Sequence, residues 1–135
     1  MSAKVFLDTN IFVYSYSNSD PVKKERAIDL YDQYFCWSSI QALNEFCNVC
    51  VKKWKQNKPE IERSIHEIMD ACQIGVISSY TLFEALRLQD RYQFSFFDSL
   101  MLASALEYGC EYFMSEDLSS GQVIDETLTI INPFN

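Results

Sequence analysis

Val5-Phe6-Leu7-Asp8-Thr9-Asn10 joins an apolar run directly to a polar turn. Three consecutive apolar residues, with no polar alternation, describe a strand covered on both faces, which is the habit of parallel sheets. Asp, Thr and Asn directly behind it stop the strand and turn the chain into a helix, expected over about 10–16. The same grammar returns near the other end, where Tyr112-Phe113-Met114 runs into Ser115-Glu116-Asp117. Short apolar runs that alternate with helical stretches predict an α/β three-layer sandwich around a central parallel sheet. Ligands of such sheets bind beyond the carboxyl ends of the strands.

Outward from the first strand, Asp20-Pro21 starts a second helix, about 21–34, with proline in its first turn. Phe35-Cys36-Trp37 reads as a brief strand, and Ser38-Ser39 can cap a third helix over about 40–55. Ile40, Leu43, Cys47, Cys50 and Trp54 alternate steps of three and four and give that helix its apolar stripe. Asn57-Lys58-Pro59 breaks it, and a fourth helix follows over about 60–72. Gly75-Val76-Ile77-Ser78 reads as a short strand or turn. A fifth helix is expected over about 80–92. A sixth, about 99–108, is apolar on most sides, so it should lie deep, and Gly109 ends it. Leu128-Thr129-Ile130-Ile131 is the last strand.

A length of 135 residues suits one domain with a real core, so 1–135 is expected to be a single domain. Hydrophobic residues make up 48% and charged residues 22%, an ordinary globular balance. No apolar run is long enough for a signal peptide or for the ~18–20 residues of a membrane span. The expectation is a cytoplasmic protein with no membrane partner. The five cysteines are an odd number, which fits free thiols in a reducing compartment. Cys47-Asn48-Val49-Cys50 falls on a helical apolar stripe with no second pair, so buried thiols are favoured over zinc or redox chemistry. His66 is the only histidine, and no nucleophile motif accompanies it.

Net charge is −8, from 11 Lys and Arg against 19 Asp and Glu. That excludes a broad basic surface for nucleic acid. An enzyme acting on nucleic acid with this charge must rely on bound cations and a local basic patch. Lys52, Lys53, Lys55 and Lys58 surround Trp54. One reading is a solvated helix end, favoured by the helix dipole; the other is a phosphate-steering patch. Lys52 follows Glu45 by seven residues on the same helix face, which makes it the best candidate for a contact to a nucleic-acid phosphate. Lys53 and Lys55 are expected to point elsewhere.

Four carboxylates carry the chemistry. Asp8 and Asp117 stand directly after strands, hence on one edge of a parallel sheet. Asp98 opens a helix that should pack on that sheet, and Glu45 lies early in the third helix. Each has a plainer reading. Asp8, Asp98 and Asp117 can serve as caps or turn residues, and Glu45 lies nearly opposite the apolar stripe at ~100° per residue. Gathered in one cleft they would raise one another's pKa, a cost that a divalent cation removes. Hard oxygen donors suit Mg²⁺ or Mn²⁺, which can activate water against a phosphate.

Four segments carry a resemblance. Phe6-Leu7-Asp8-Thr9-Asn10-Ile11 resembles the opening motif of PIN domains, and Leu43-Asn44-Glu45-Phe46 resembles their second motif. Phe97-Asp98-Ser99-Leu100-Met101-Leu102-Ala103-Ser104-Ala105 resembles the third. Ser115-Glu116-Asp117-Leu118, with Gly121-Gln122 and Asn132-Pro133-Phe134, resembles the fourth motif and tail of VapC-like toxins. The resemblance spans nearly the whole chain and rests on four motifs in order. It implies a strand order near 3-2-1-4-5 and a metal-dependent endoribonuclease using Mg²⁺ or Mn²⁺. The role implied is the toxin half of a type II toxin–antitoxin pair, a homodimer restrained by a small antitoxin protein. Asp8 and Asp98 would be the firmest metal ligands, with Asp117 and Glu45 completing the catalytic cluster partly through water. Asn10 and Ser115 would orient them; Ser115 stands where many members carry Thr and keeps the hydroxyl. Glu116 adjoins Asp117, and the family's spacing favours Asp117 as the ligand.

Two rivals remain open: a degenerate PIN scaffold that binds RNA or protein without cutting, and a housekeeping RNA-processing nuclease. A dehalogenase-like phosphatase also places Asp after its first strand, but wants a second Asp two residues on, where this chain has Asn10. No Gly-rich phosphate loop is present.

Overall fold

The computed structural model describes residues 2–135. A six-stranded sheet runs in the order β3-β2-β1-β4-β6-β5. Its strands are β1 (Lys4–Leu7), β2 (Phe35–Ser39), β3 (Cys72–Gly75), β4 (Tyr112–Met114), β5 (Val123–Ile124) and β6 (Leu128–Ile131). All neighbours are parallel except β5 and β6, which form an antiparallel hairpin. With the closing strand Leu128–Ile131 counted fifth, the order matches the one implied by the motifs; β5 is an added edge. β5 escapes sequence reading because it is two residues long and its turn carries no Asn-Gly. Asp125 and Glu126 instead take the two consecutive positive φ angles, 50° and 64°, which twist-compatible hairpin turns require.

The helices are α1 (Thr9–Tyr16), α2 (Pro21–Gln33), α3 (Ile40–Lys52), α4 (Lys58–Ala71), α5 (Ser79–Tyr92) and α6 (Phe96–Glu107). From β1 to β2 to β3 the chain steps one way across the sheet, with α1–α4 in the connections. From β3 it returns to β4 beside β1, with α5 and α6 in the connection. Crossovers between parallel strands are right-handed, so reversing the step puts α5 and α6 on the opposite face. Their packing agrees: α1 meets α2 and α3, α3 meets α4, and α5 meets α6. The result is the three-layer sandwich, and β1, where the direction reverses, sits at its centre.

Burial follows from that position. Val5, Phe6 and Leu7 have no exposed surface, each such side chain contributing roughly 1.5–3 kcal/mol when withdrawn from water. In α6 every residue from Ser99 to Ala105 is buried, as expected for a helix lying between the sheet and α5. Caps set the boundaries. Asp20 caps α2 with Pro21 at its start, Ser39 caps α3, and Asn57 and Glu60 exchange hydrogen bonds at the start of α4. Gly109, at φ 74°, turns the chain out of α6.

Two sequence readings shift. The third strand lies at Cys72–Gly75, three residues before the expected 75–78, because Cys72 both closes α4 and pairs with Cys36 of β2. Val76, read as part of a strand or turn, lies outside the strand and is 77% exposed. The stripe of α3 is also rotated from the one expected: Ala42, Leu43, Phe46 and Cys50 are buried, whereas Ile40 is exposed. Phe46 draws the helix round, since its ring packs against those of Phe12, Tyr16 and Trp54. All five cysteines are free, and Cys36, Cys50, Cys72 and Cys110 are buried with Cys47 partly so; burial raises the Cys50 thiol to about 11. His66 is exposed on α4. No described helix is long and apolar enough to cross a membrane.

Candidate active site

The cleft opens where β1 and β4 lie side by side and deliver their next residues to one edge. Leu7 pairs with Met114, so Asp8 and Ser115 emerge together. The Ser115 hydroxyl donates to Asp8 Oδ2 at 2.7 Å, and Asp8 Oδ1 accepts from the Thr9 backbone N–H at 2.7 Å. Asp8 is therefore both the cap of α1 and a buried carboxylate, 7% exposed. Its pKa rises from 3.8 to about 6, chiefly because burial disfavours the charge. The two hydrogen bonds oppose the rise, and the negative charges of Asp98 and Asp117 add to it.

Asn10 ties the neighbours together. Its side-chain amide donates to Asp117 Oδ2 at 3.0 Å and lies 3.4 Å from Ser115 Oγ and 3.5 Å from Asp8 Oδ2. Its carbonyl oxygen accepts from the Glu116 backbone N–H. Ser115 Oγ in turn accepts from the Asp117 N–H at 3.1 Å. Asp117 is thus bound into the network of Asp8. Glu116 is turned to other partners, an ion pair with Lys23 and a 2.6 Å hydrogen bond from Tyr14, which hold its carboxyl below the usual range against the opposing effect of its own burial.

Glu45, exposed on α3, accepts a 2.9 Å hydrogen bond from Gln41, one turn earlier. Gln41 is buried and also donates to the Phe97 carbonyl at 3.3 Å, coupling Glu45 to the start of α6 and to Asp98. Asp98 sits in the first turn of α6, where its backbone N–H is capped by Ser95. Sequence reading passed over Gln41, because a polar residue beside an apolar stripe looks like surface until the helix is rotated to its true setting.

The arrangement is a loose one. Among the described residues no three His, Cys, Asp or Glu side chains already stand close enough to enclose a metal ion. Asp117 is held by Asn10 and Glu45 by Gln41. The donor set still fits a hard cation. Its anionic atoms are all carboxylate oxygens, and no ion pair among the described residues engages Asp8, Glu45, Asp98 or Asp117. Of the four buried polar side-chain atoms without a partner among the described residues, Gln56 Oε1 lies apart in sequence and the other three belong to residues next to or bonded to these acids. Thr9 Oγ1 follows Asp8, Ser99 Oγ follows Asp98, and Gln41 Oε1 belongs to the residue that holds Glu45. Such orphans are costly.

Between α1, α3 and the turn after β4 lies a cavity of about 410 Å³, bordered by Asn10, Tyr14, Glu45, Lys53 and Asp117 among others. Lys52 does not border it; it is exposed on α3. At ~100° per residue Lys52 lies ~20° to one side of Glu45 and Lys53 ~80° to the other. The cavity is on the α1 side, where Lys53 stands.

The family model described as PIN domain matches residues 5–122. No curated protein matches by sequence. Solved structures are similar over almost the full length. A chain of a toxin–antitoxin complex from Klebsiella pneumoniae aligns with a TM-score of 0.71 at 18% identity, covering 96% of this chain and 97% of its own. A chain of VapBC2 from Rickettsia felis, bound to a DNA fragment from its promoter, gives 0.68 at 15% identity over 96% and 99%. VapC20 of Mycobacterium tuberculosis, described as a toxin that cleaves the sarcin–ricin loop, gives 0.65 at 13% identity over 81% and 86%. At these identities the likeness is one of fold.

Proposed function

This chain belongs to the PIN-domain family, and from that premise we propose that it is a single PIN domain over 1–135 acting as a metal-dependent endoribonuclease, the toxin of a type II toxin–antitoxin pair. The observation that carries the proposal is Asp8: a buried carboxylate, hydrogen-bonded on both oxygens and flanked by Asp98 and Asp117, and engaged by no ion pair among the described residues. Asp8 and Asp98 hold Mg²⁺ or Mn²⁺, and Asp117 and Glu45 complete the cluster. When bound, the ion supplies an acidified water and charge neutralisation at the phosphate. Ser115 fixes the Asp8 carboxylate, Asn10 spans Asp8 and Asp117, and Gln41 aims Glu45. Retention of all four acids stands against a degenerate scaffold.

The toxin role is supported by the fold shared with chains of toxin–antitoxin complexes. A protein partner is further supported by Leu82, Phe83 and Leu86, an exposed apolar stripe on α5. The proposal includes a cytoplasmic homodimer and a small antitoxin whose basic segment blocks the acidic cleft. Expression in a bacterial host tests it. Total RNA is expected to be cut and growth arrested, both relieved by Asp8→Asn or Asp98→Asn and by co-expression of the adjacent small gene. Intact RNA with unimpaired growth would count against it, and growth arrest that persists in Asp8→Asn would show a different cause.

A further inference from the structure

We infer that Lys53 is a positioning residue that holds a phosphate of single-stranded RNA neighbouring the one that is cut, in the cavity between α1 and α3. The inference rests on the reading of the acidic cluster as an RNA-cleaving site. Lys53 closes α3: its backbone N–H still bonds to the Val49 carbonyl and its φ and ψ, −91° and −47°, continue the helix. Its side chain is therefore carried on a rigid element. Glu45 lies eight residues earlier on the same helix, ~12 Å along the axis at 1.5 Å per residue. Both border the same cavity of about 410 Å³, a size that admits one small polar ligand unit.

Charge selects the ligand. Lys53 is the sole cation among the described residues bordering the cavity, and no described ion pair engages it. The acids there fall into two kinds. Glu116 is neutralised by Lys23 and Tyr14, whereas Glu45 and Asp117 have no basic partner. A polyanion entering this cleft thus meets repulsion at the carboxylate end and one free ammonium group at the other. An extended strand can lay one phosphate among the acids and a neighbouring one on Lys53. In a chain of net charge −8, such a point contact is how substrate is caught, because bulk attraction is absent. Thr9, Tyr14, Ser17 and Ser19 add hydroxyl-bearing residues to the cavity's border. Ribose and phosphate oxygens of RNA suit a wall of that kind.

The test compares wild type, Lys53→Ala, Lys53→Arg and Lys52→Ala. Binding of a fluorescent single-stranded oligoribonucleotide is followed by anisotropy at several salt concentrations, and its cleavage with Mn²⁺ by rate against RNA concentration. Lys53→Ala should weaken binding and raise KM by about three- to tenfold with kcat nearly unchanged, and should flatten the salt slope by roughly 0.7. Lys53→Arg should restore both, and Lys52→Ala should match wild type. Circular dichroism confirms that each variant is folded. Superimposed curves for Lys53→Ala and wild type overturn the inference and leave the nuclease reading standing. Equal losses in Lys52→Ala and Lys53→Ala also overturn it, since they signal general charge. A protein that binds RNA through Lys53 yet never cuts it upholds the contact and refutes the nuclease reading.

Discussion

Asp8 does two jobs that ordinarily conflict. As the cap of α1 it is best ionised, yet its burial beside Asp98 and Asp117 raises its pKa to about 6. The sign of the consequence is fixed by linkage. A carboxyl whose folded pKa is raised binds a proton more readily folded than unfolded, so metal-free stability falls as pH climbs from about 4 to about 6 and then levels. Moving this carboxyl from 3.8 to about 6 corresponds to about 3 kcal/mol. Denaturant melts of metal-free protein between pH 4 and 8 should show that decline, and Asp8→Asn should remove most of it. Glu116 and Asp125, held low by Lys23 and Arg87, contribute the opposite trend, so the test is the difference between the two proteins: a wild type that loses no stability relative to Asp8→Asn over this range would contradict the assignment. Ser115→Ala removes the 2.7 Å bond to Asp8. It should push the carboxyl higher still and weaken metal affinity, at about 1–3 kcal/mol, measured by calorimetric Mn²⁺ titration. That Asp8 and Ser115 meet at one sheet edge was legible in the sequence, because each directly follows an apolar run. That Lys53 rather than Lys52 borders the cavity was not, because the two differ only in which side of α3 they take, and the neighbouring helix decides that.

At the level of elements, what the sequence states locally is found and what depends on a neighbour is displaced. Asp20 and Pro21 put α2 where expected, Asn57 and Pro59 start α4 two residues before its expected 60 because they cap it rather than merely break α3, and the apolar span after Phe96 gives the buried α6. The strand at Cys72–Gly75 is set instead by pairing with β2, and its amino acids alternate too weakly to announce it. Gly75 shows how specific that pairing is. A Cβ there would fall 2.1 Å from the Tyr108 ring, which is held by a 2.8 Å hydrogen bond to the Val76 carbonyl and packed on Trp37. Gly75→Ala should therefore cost about 1–3 kcal/mol through forced repacking, and adding Tyr108→Ala should recover part of it. Equal thermal melts of wild type and Gly75→Ala would show that the ring yields freely. The stripe of α3 was misread by omitting Phe46; restoring it turns Gln41 inward and explains how Glu45, exposed itself, is held from beneath.

For the whole molecule, strand order follows from connection handedness, and the cleft follows from strand order, since the sheet reverses direction at β1. The four acids come from the ends of β1 and β4 and from α3 and α6 on opposite faces, so the site exists only in the folded chain. On the proposal that these acids, none of them in an ion pair among the described residues, close around a cation, divalent cations should stabilise the fold by mass action. At a hundredfold excess over Kd the gain is about 2.7 kcal/mol, a rise in Tm of roughly 5–10 °C for a chain of this size, and Asp98→Asn should blunt it. A melting curve unmoved by millimolar Mg²⁺ or Mn²⁺ would speak against a shared site. If these carboxylates form a cation-dependent site for cutting RNA, cleavage of a labelled single-stranded RNA by purified wild type and Asp8→Asn should show it as Mg²⁺ or Mn²⁺ is titrated in from excess chelator. No cleavage is expected in chelator, with saturable activation of the wild type by metal and no activation of Asp8→Asn at any concentration. Cleavage that persists in chelator, or an Asp8→Asn protein as active as the wild type, would contradict such a site.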